Sequence, residues 1–307
     1  RTILDDVREL YEREIDFIHE REHLIAARSR YAGVKGLRIP QPIGVLSNAT
    51  ITAMTEERGV KITEAYPGDL LRRKELARRL IEYLVARPLF QSQEISPFHA
   101  DPHVGNLRVD EATGDVVLLD WALTGTLTTV DRRSLILLLL TLPLRDEGQI
   151  LEALSELSLP NDAVTRDLLK RQIENFVDAL PLASIPNPGR LGELVDSLLR
   201  AGARFSGSFL IFRKVLSTVE DVIEQVSPGL SIQQVVLEYA LTNGLLNAWA
   251  PGLGKTEFKI PLRGSDLVQL GLSAQFLLPR VWAQTARSIA RKVVFAPRET
   301  KPRLELV

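Results

Sequence analysis

The stretch that decides how this chain is read is His99-Ala-Asp-Pro-His-Val-Gly-Asn106, with the run Asp-Val-Val-Leu-Leu-Asp over 115–120 close behind it. Eight residues carry two histidines, a carboxylate and an amide, and the apolar run ends in a second carboxylate, Asp120. Asp, Pro, Gly and Asn are also the ordinary vocabulary of polar turns, so no one of these residues says much alone. A zinc site on His99 and His103 fits poorly. Asp101-Pro102 between them makes a rigid turn, and no other histidine lies near in the sequence. The two histidines are expected to hold the loop.

The joint spacing says more. His99-x-Asp101 is followed by Asn106 five residues after the aspartate, and Asp120 lies fourteen residues further on. Strands are expected at about 107–109 and 115–120, separated by the polar turn Asp-Glu-Ala-Thr-Gly. This is the order of the catalytic loop and metal-binding segment of a protein kinase. Phosphoryl transfer asks for little covalent work. It needs Mg2+ to neutralise phosphate charge and a carboxylate to orient or deprotonate the acceptor. Mg2+ prefers oxygen ligands, which suits Asn106 and Asp120 as its holders. Asp101 would then face the acceptor hydroxyl or a water, His99 would brace the loop, and Gly105 would let the backbone turn before Asn106.

Outward from the loop, residues 3–31 read as a long amphipathic helix, broken once at most and ended by Gly33 and Gly36. Two short strands are expected at 43–47 and 50–56, joined at Asn48 as a hairpin. A helix is expected over about 69–86, ending before Pro88. From 131 onward the pattern is helical. The run Leu135–Leu142 is far too short to span a bilayer and reads as a buried core helix. Segments 165–180, 190–205, 208–226 and 231–247 each repeat apolar residues at helical spacing.

The bulk composition is that of a globular protein. A net charge of −1 gives no reason to invoke nucleic acid. The absence of cysteine excludes a disulfide framework and cysteine-held zinc, and fits a cytoplasmic location. The chain starts at Arg1 rather than Met, so a longer protein is expected upstream. Two further motifs are weighed and set aside. His19-Glu-Arg-Glu-His23 matches the zinc-hydrolase pattern HExxH, a pattern that charged helices also produce by chance. Gly252–Thr256 hints at a phosphate loop, but the position that needs its first glycine is Trp249.

The residues from Phe98 through the 115–120 strand to the leucine run closely resemble the UbiB family of atypical kinases, whose signature reads HADPHPGN, then a strand, then LLDFG. The helix around Glu14, Asp16, Glu20 and His23 resembles that family's E-x-D helix, with His23 replacing an asparagine. The 39–59 segment, which includes Glu56, resembles its two strands and the hinge between lobes. Residues 212–232 resemble a late helical segment. The resemblance spans roughly residues 3 to 235.

It implies an α+β, protein-kinase-like fold with a truncated small lobe of helix and short strands on a large, mostly helical C-terminal lobe. The expected divisions are 1–57 for the small-lobe remnant, 58–260 for the helical lobe with the catalytic loop, and 261–307 for a C-terminal helical tail. The cofactors implied are ATP and Mg2+, with Glu14, Asp16 and Glu56 on the nucleotide side. The setting implied is isoprenoid quinone biosynthesis or lipid homeostasis. Its partners would be membrane lipids, quinone precursors and quinone-biosynthesis proteins. Segment 266–295 is partly apolar and carries Arg280, Arg287, Arg291 and Lys292. It would lie either on an anionic membrane surface or on the protein body.

The chain departs from the family pattern in three places. Val104 replaces proline, and the D-F-G equivalent is Asp120-Trp121-Ala122. The family's nucleotide loop and strand lysine would precede residue 3. An ATP-dependent kinase or ATPase is therefore the first reading, and a pseudokinase scaffold without turnover is the second.

Overall fold

The computed structural model describes residues 16–159, 166–181, 188–249, 258–277 and 279–280. Glu14, the Gly252–Thr256 loop and the basic residues after Arg280 lie outside them.

The first helix among the described residues, α1 (Phe17–Arg30), starts where the Asp16 carboxylate accepts the His19 amide at 3.1 Å. The chain leaves it through Gly33 and Gly36, both at φ +78°, a conformation glycine takes without strain. It then forms β1 (Leu37–Arg38), the short β2 (Val60–Lys61), and the hairpin β4 (Leu107–Asp110) and β5 (Asp115–Leu118). These make one sheet in the order β1-β5-β4-β2, with β1 parallel to β5 and the other pairs antiparallel. Arg38 ties the sheet together. Its guanidinium reaches Asp110 at 2.6 Å, Asp115 at 3.4 Å and Glu57 at 3.6 Å. A second, two-stranded sheet pairs β3 (Ser96–His99) with β6 (Thr124–Leu127), His99 opposite Thr124.

The expected hairpin strands at 43–47 and 50–56 do not form. The two segments do lie side by side, through a Pro42–Met54 bridge and an Ile43-to-Ala53 backbone hydrogen bond of 2.8 Å. Between them Gly44–Leu46 winds into a 3-10 turn. Side chains satisfy the groups a ladder would use. The Ala53 amide donates to Ser47 Oγ, the Gln41 amide to Thr55 Oγ1, and the Thr50 amide to Asn48 Oδ1.

The helix expected to end before Pro88 runs past it. α2 (Leu70–Ile81) continues through a π-helical stretch, Glu82–Ala86, and a last α-turn, Arg87–Leu89. Proline has no N–H for the preceding turn and crowds its carbonyl, and a π-helical stretch is one way a helix absorbs that conflict.

The helical body is built from α3 (Thr129–Thr141), α4 (Glu147–Leu157), α5 (Arg166–Ala179), α6 (Pro188–Arg200), α7 (Gly207–Val226), α8 (Ile232–Trp249) and α9 (Gly264–Gln275). α3 begins with a capping box, Thr128 and Asp131 each bonding the other's backbone. Its leucine run is the buried core helix the sequence suggests, with Leu135, Leu138 and Leu139 shielded from water. α7 buries Phe209, Phe212, Leu216, Val219 and Ile223, a stripe at helical spacing that faces the core. α9 is anchored by Asp266, buried against Arg133 of α3 at 2.6 Å. No helix among the described residues is long and apolar enough to cross a membrane.

Candidate active site

The candidate site lies where β3 and β6 meet the β4–β5 hairpin. β3 delivers His99 to a buried position. The imidazole Nε2 sits 3.0 Å from the Leu119 carbonyl, and Nδ1 accepts the Asp101 amide at 3.2 Å. Burial pushes the His99 pKa below its ordinary value, against smaller opposing pulls from the Leu119 carbonyl, Asp120 and Asp101. The ring stays neutral and serves as a bracket.

The loop then doubles back. The His103 amide donates to the Asp101 carbonyl at 2.9 Å, and the Gly105 amide to the His103 ring at 3.0 Å. A Cβ on Gly105 would come within 2.6 Å of that ring, so a larger residue there would push the exposed His103 ring off the Gly105 amide. Asn106 ends a 3-10 turn, is buried, and donates its Nδ2 to the Asp101 carbonyl at 3.1 Å. Its amide oxygen is thereby turned away from that carbonyl. The Asn106 carbonyl accepts the Leu119 amide at 2.9 Å, which places Asp120 beside it. His99, Asp101, Asn106 and Leu119 thus form one hydrogen-bonded unit, with Asp120 next in the chain at its edge.

Asp120 is exposed and has φ +49°, a left-handed backbone that aspartate tolerates better than bulkier residues. Its Oδ1 accepts the Ala122 amide at 3.0 Å, which stabilises the turn. Trp121 is buried with its ring edge-on to His99, centroids 4.8 Å apart, and is the aromatic anchor of the segment. His23 of α1 lies with Nδ1 3.2 Å from the Trp121 carbonyl. Glu20, one turn earlier on the same helix, is half-buried. Burial raises its carboxyl pKa; Thr52 opposes this by hydrogen bonding, and the nearby Asp120 charge adds to it.

Of the remaining expected residues, Asp16 and Glu56 are among those described. Asp16 caps α1 and holds the His19 ring at 2.6 Å. Glu56 is exposed in the extended segment after Met54. His19 and His23 are each engaged elsewhere, and among the described residues no three His, Asp or Glu side chains form a metal-binding group of the kind a zinc hydrolase needs. Sequence reasoning does not single out Lys214 of α7, whose Nζ lies 3.6 Å from Asp101 Oδ1. An exposed lysine on an amphipathic helix carries no such signal.

The ABC1 atypical kinase-like domain model matches residues 1–154, about half of the chain. The chain belongs to the ABC1 atypical kinase-like family. Its similarity to Protein ACTIVITY OF BC1 COMPLEX KINASE 7, chloroplastic, of Arabidopsis thaliana is 25% identity over 234 residues, covering 74% of this chain and 33% of that protein. To Probable protein kinase UbiB of Cellvibrio japonicus it is 23% over 259 residues, covering 80% of this chain and 44% of that protein. The chain thus spans less than half the length of these curated relatives. Rv3197 of Mycobacterium tuberculosis, solved as a complex with erythromycin, superposes with a TM-score of 0.53 at 16% identity. The match covers 82% of this chain and 62% of that one. That likeness establishes the shared fold: a kinase-like ABC1 domain, mixed α+β, with short sheets and a mostly helical body.

Proposed function

We propose that this chain carries the catalytic loop of an atypical kinase or ATPase that uses ATP and Mg2+. The observation that carries the proposal is the closed hydrogen-bonded unit of His99, Asp101, Asn106 and Leu119, with Asp120 at its open edge. The donor set suits Mg2+: the Asp120 carboxylate and the Asn106 amide oxygen are hard ligands. When bound, the ion would neutralise phosphate charge. Asp101 would orient the acceptor hydroxyl or water and accept its proton. His99 would keep the loop closed around these groups. The nucleotide side is assigned to the segments bearing Glu14, Asp16 and Glu56, although Asp16 already holds His19.

The setting we infer is isoprenoid quinone or lipid metabolism, which the likeness to a protein named UbiB favours. Membrane lipids, quinone precursors and quinone-biosynthesis proteins are the proposed partners. Leu267, Val268, Leu272 and Phe276 of the α9 region are exposed and suit peripheral contact with a membrane. Co-sedimentation with anionic liposomes, with and without residues 266–307, tests that part.

The chemistry is tested by Mg2+-dependent ATP binding and turnover in the full-length protein. Asp120→Asn should abolish nucleotide binding. Asp101→Asn should leave binding intact and lower turnover by roughly 10²–10⁴-fold. Unchanged nucleotide affinity in Asp120→Asn would refute the site. Binding without turnover in the wild type would favour the scaffold reading.

A further inference from the structure

We propose that Lys214 is a positioning residue of the phosphoryl-transfer site, reaching from α7 to orient the Asp101 carboxylate; the inference rests on the kinase-like reading above. The loop from His99 to Asn106 contains no lysine or arginine. Its aspartate is met from two sides. Lys214 Nζ lies 3.6 Å from Oδ1, and the His103 ring nitrogen lies 3.8 Å from Oδ2. A carboxylate on an open loop otherwise rotates freely, and orientation of the acceptor depends on where its oxygens point.

The position of Lys214 follows from how α7 is seated. Ser206 caps the helix by accepting the Phe209 amide at 3.2 Å. Two residues before the lysine, Phe212 packs edge-on against Phe98, ring centroids 5.0 Å apart. Phe98 immediately precedes His99, so the contact fixes the helix against the strand that carries the loop. The neighbouring cation points elsewhere. Arg213 pairs with Asp196 of α6 at 2.9 Å and donates to the Gly192 carbonyl at 3.3 Å. Lys214 alone of this adjacent pair turns to Asp101. Lys214 is 64% exposed and Asp101 32%, and an ion pair so open to water adds little to stability. A cation that stabilises the fold so little, set beside the catalytic carboxylate, is better explained by the reaction.

The experiment uses the full-length protein and compares wild type, Lys214→Ala, Lys214→Arg, Asp101→Asn and the Lys214→Ala/Asp101→Asn double variant. In Mg2+-ATP turnover, Lys214→Ala should lower kcat by roughly 10- to 100-fold and leave KM for ATP within about twofold, because the interaction serves the reacting centre. Lys214→Arg should recover most of the loss. In the Asp101→Asn background, Lys214→Ala should add no further loss, since the lysine acts through the carboxylate. The thermal midpoint should not move. Wild-type kcat in Lys214→Ala, a loss confined to KM, or losses that multiply in the double variant would each overturn the role of Lys214. In those cases the sensitivity to Asp120→Asn would persist. A wild-type protein without Mg2+-dependent turnover would overturn the kinase-like reading and this inference with it.

Discussion

The imidazole of His99 joins the two halves of the candidate site, with Nε2 3.0 Å from the Leu119 carbonyl and Nδ1 accepting the Asp101 amide at 3.2 Å. An acceptor at Nδ1 places the ring proton on Nε2, so a single tautomer serves both bonds. His99→Leu removes both partners at a position with 1% exposure. The unsatisfied groups should lower stability by roughly 1–3 kcal/mol. Urea denaturation of the two proteins measures this. Equal midpoints would mean that the bracket contributes nothing to the loop.

Gly125 of β6 faces Phe98 across the two-stranded sheet, and a Cβ built there would sit 2.2 Å from the Phe98 ring. The ring cannot retreat, because Phe212 packs against it. Gly125→Ala should therefore destabilise by roughly 1–3 kcal/mol through overpacking. Adding Phe98→Leu should recover part of that loss. Additive losses in the double variant would argue that the clash is relieved by backbone movement.

The candidate site was legible in the sequence where its residues lie close together along one short stretch. His99, Asp101, Asn106 and Asp120 all lie on a strand–loop–hairpin unit, so their order alone indicates a shared purpose. Lys214 was not readable, because its proximity to Asp101 depends on how Phe212 meets Phe98. The helical body followed from apolar spacing, as in α7. The expected strands at 43–47 and 50–56 failed for a local reason. Ser47, Asn48 and Thr55 bond the backbone themselves and displace the ladder. Pro88 misled for a similar reason, since the π-helical stretch before it lets the helix pass a residue that usually ends one.

Asp266 and Arg133 form a buried pair that docks α9 on α3, and Glu156 shares the same guanidinium. The Arg133 guanidinium holds the Asp266 carboxyl below its ordinary range; burial opposes this, and the Arg263 amide assists. A depressed folded pKa adds stability that is fully present above the unfolded value of 3.8 and is lost as pH falls through the folded value. Asp266→Asn leaves Arg133 with Glu156 as a carboxylate partner and should cost about 1–3 kcal/mol at neutral pH, the worth of a weakened charged hydrogen bond. It should also flatten the acid limb of the stability profile. Denaturation at pH 7 and pH 3 checks both, and parallel profiles would show that the pair is not the group titrating there.

Tyr31, buried at the end of α1, gives a prediction at the other extreme of pH. Its hydroxyl donates to the Tyr83 carbonyl at 3.2 Å, and its ring lies 6.1 Å from that of Trp121. Burial pushes its pKa up from 10 to about 12, against the pull of the Arg87 and Arg30 cations. Between those two values the unfolded chain releases the phenolic proton and the folded chain keeps it. Stability should therefore be complete below pH 10 and fall as pH rises towards 12. Tyr31→Phe has no proton to release. At neutral pH it should be less stable than wild type by about 1 kcal/mol, the net worth of the lost hydrogen bond. As pH rises past 10 the gap should narrow, because only the wild type pays the alkaline penalty. Denaturant unfolding of both proteins at pH 8, 10 and 11 follows the gap, taken as differences between the two so that other tyrosines cancel. A gap that stays constant would mean that Tyr31 ionises as easily folded as unfolded, and that α1 does not bury it against Trp121 as described.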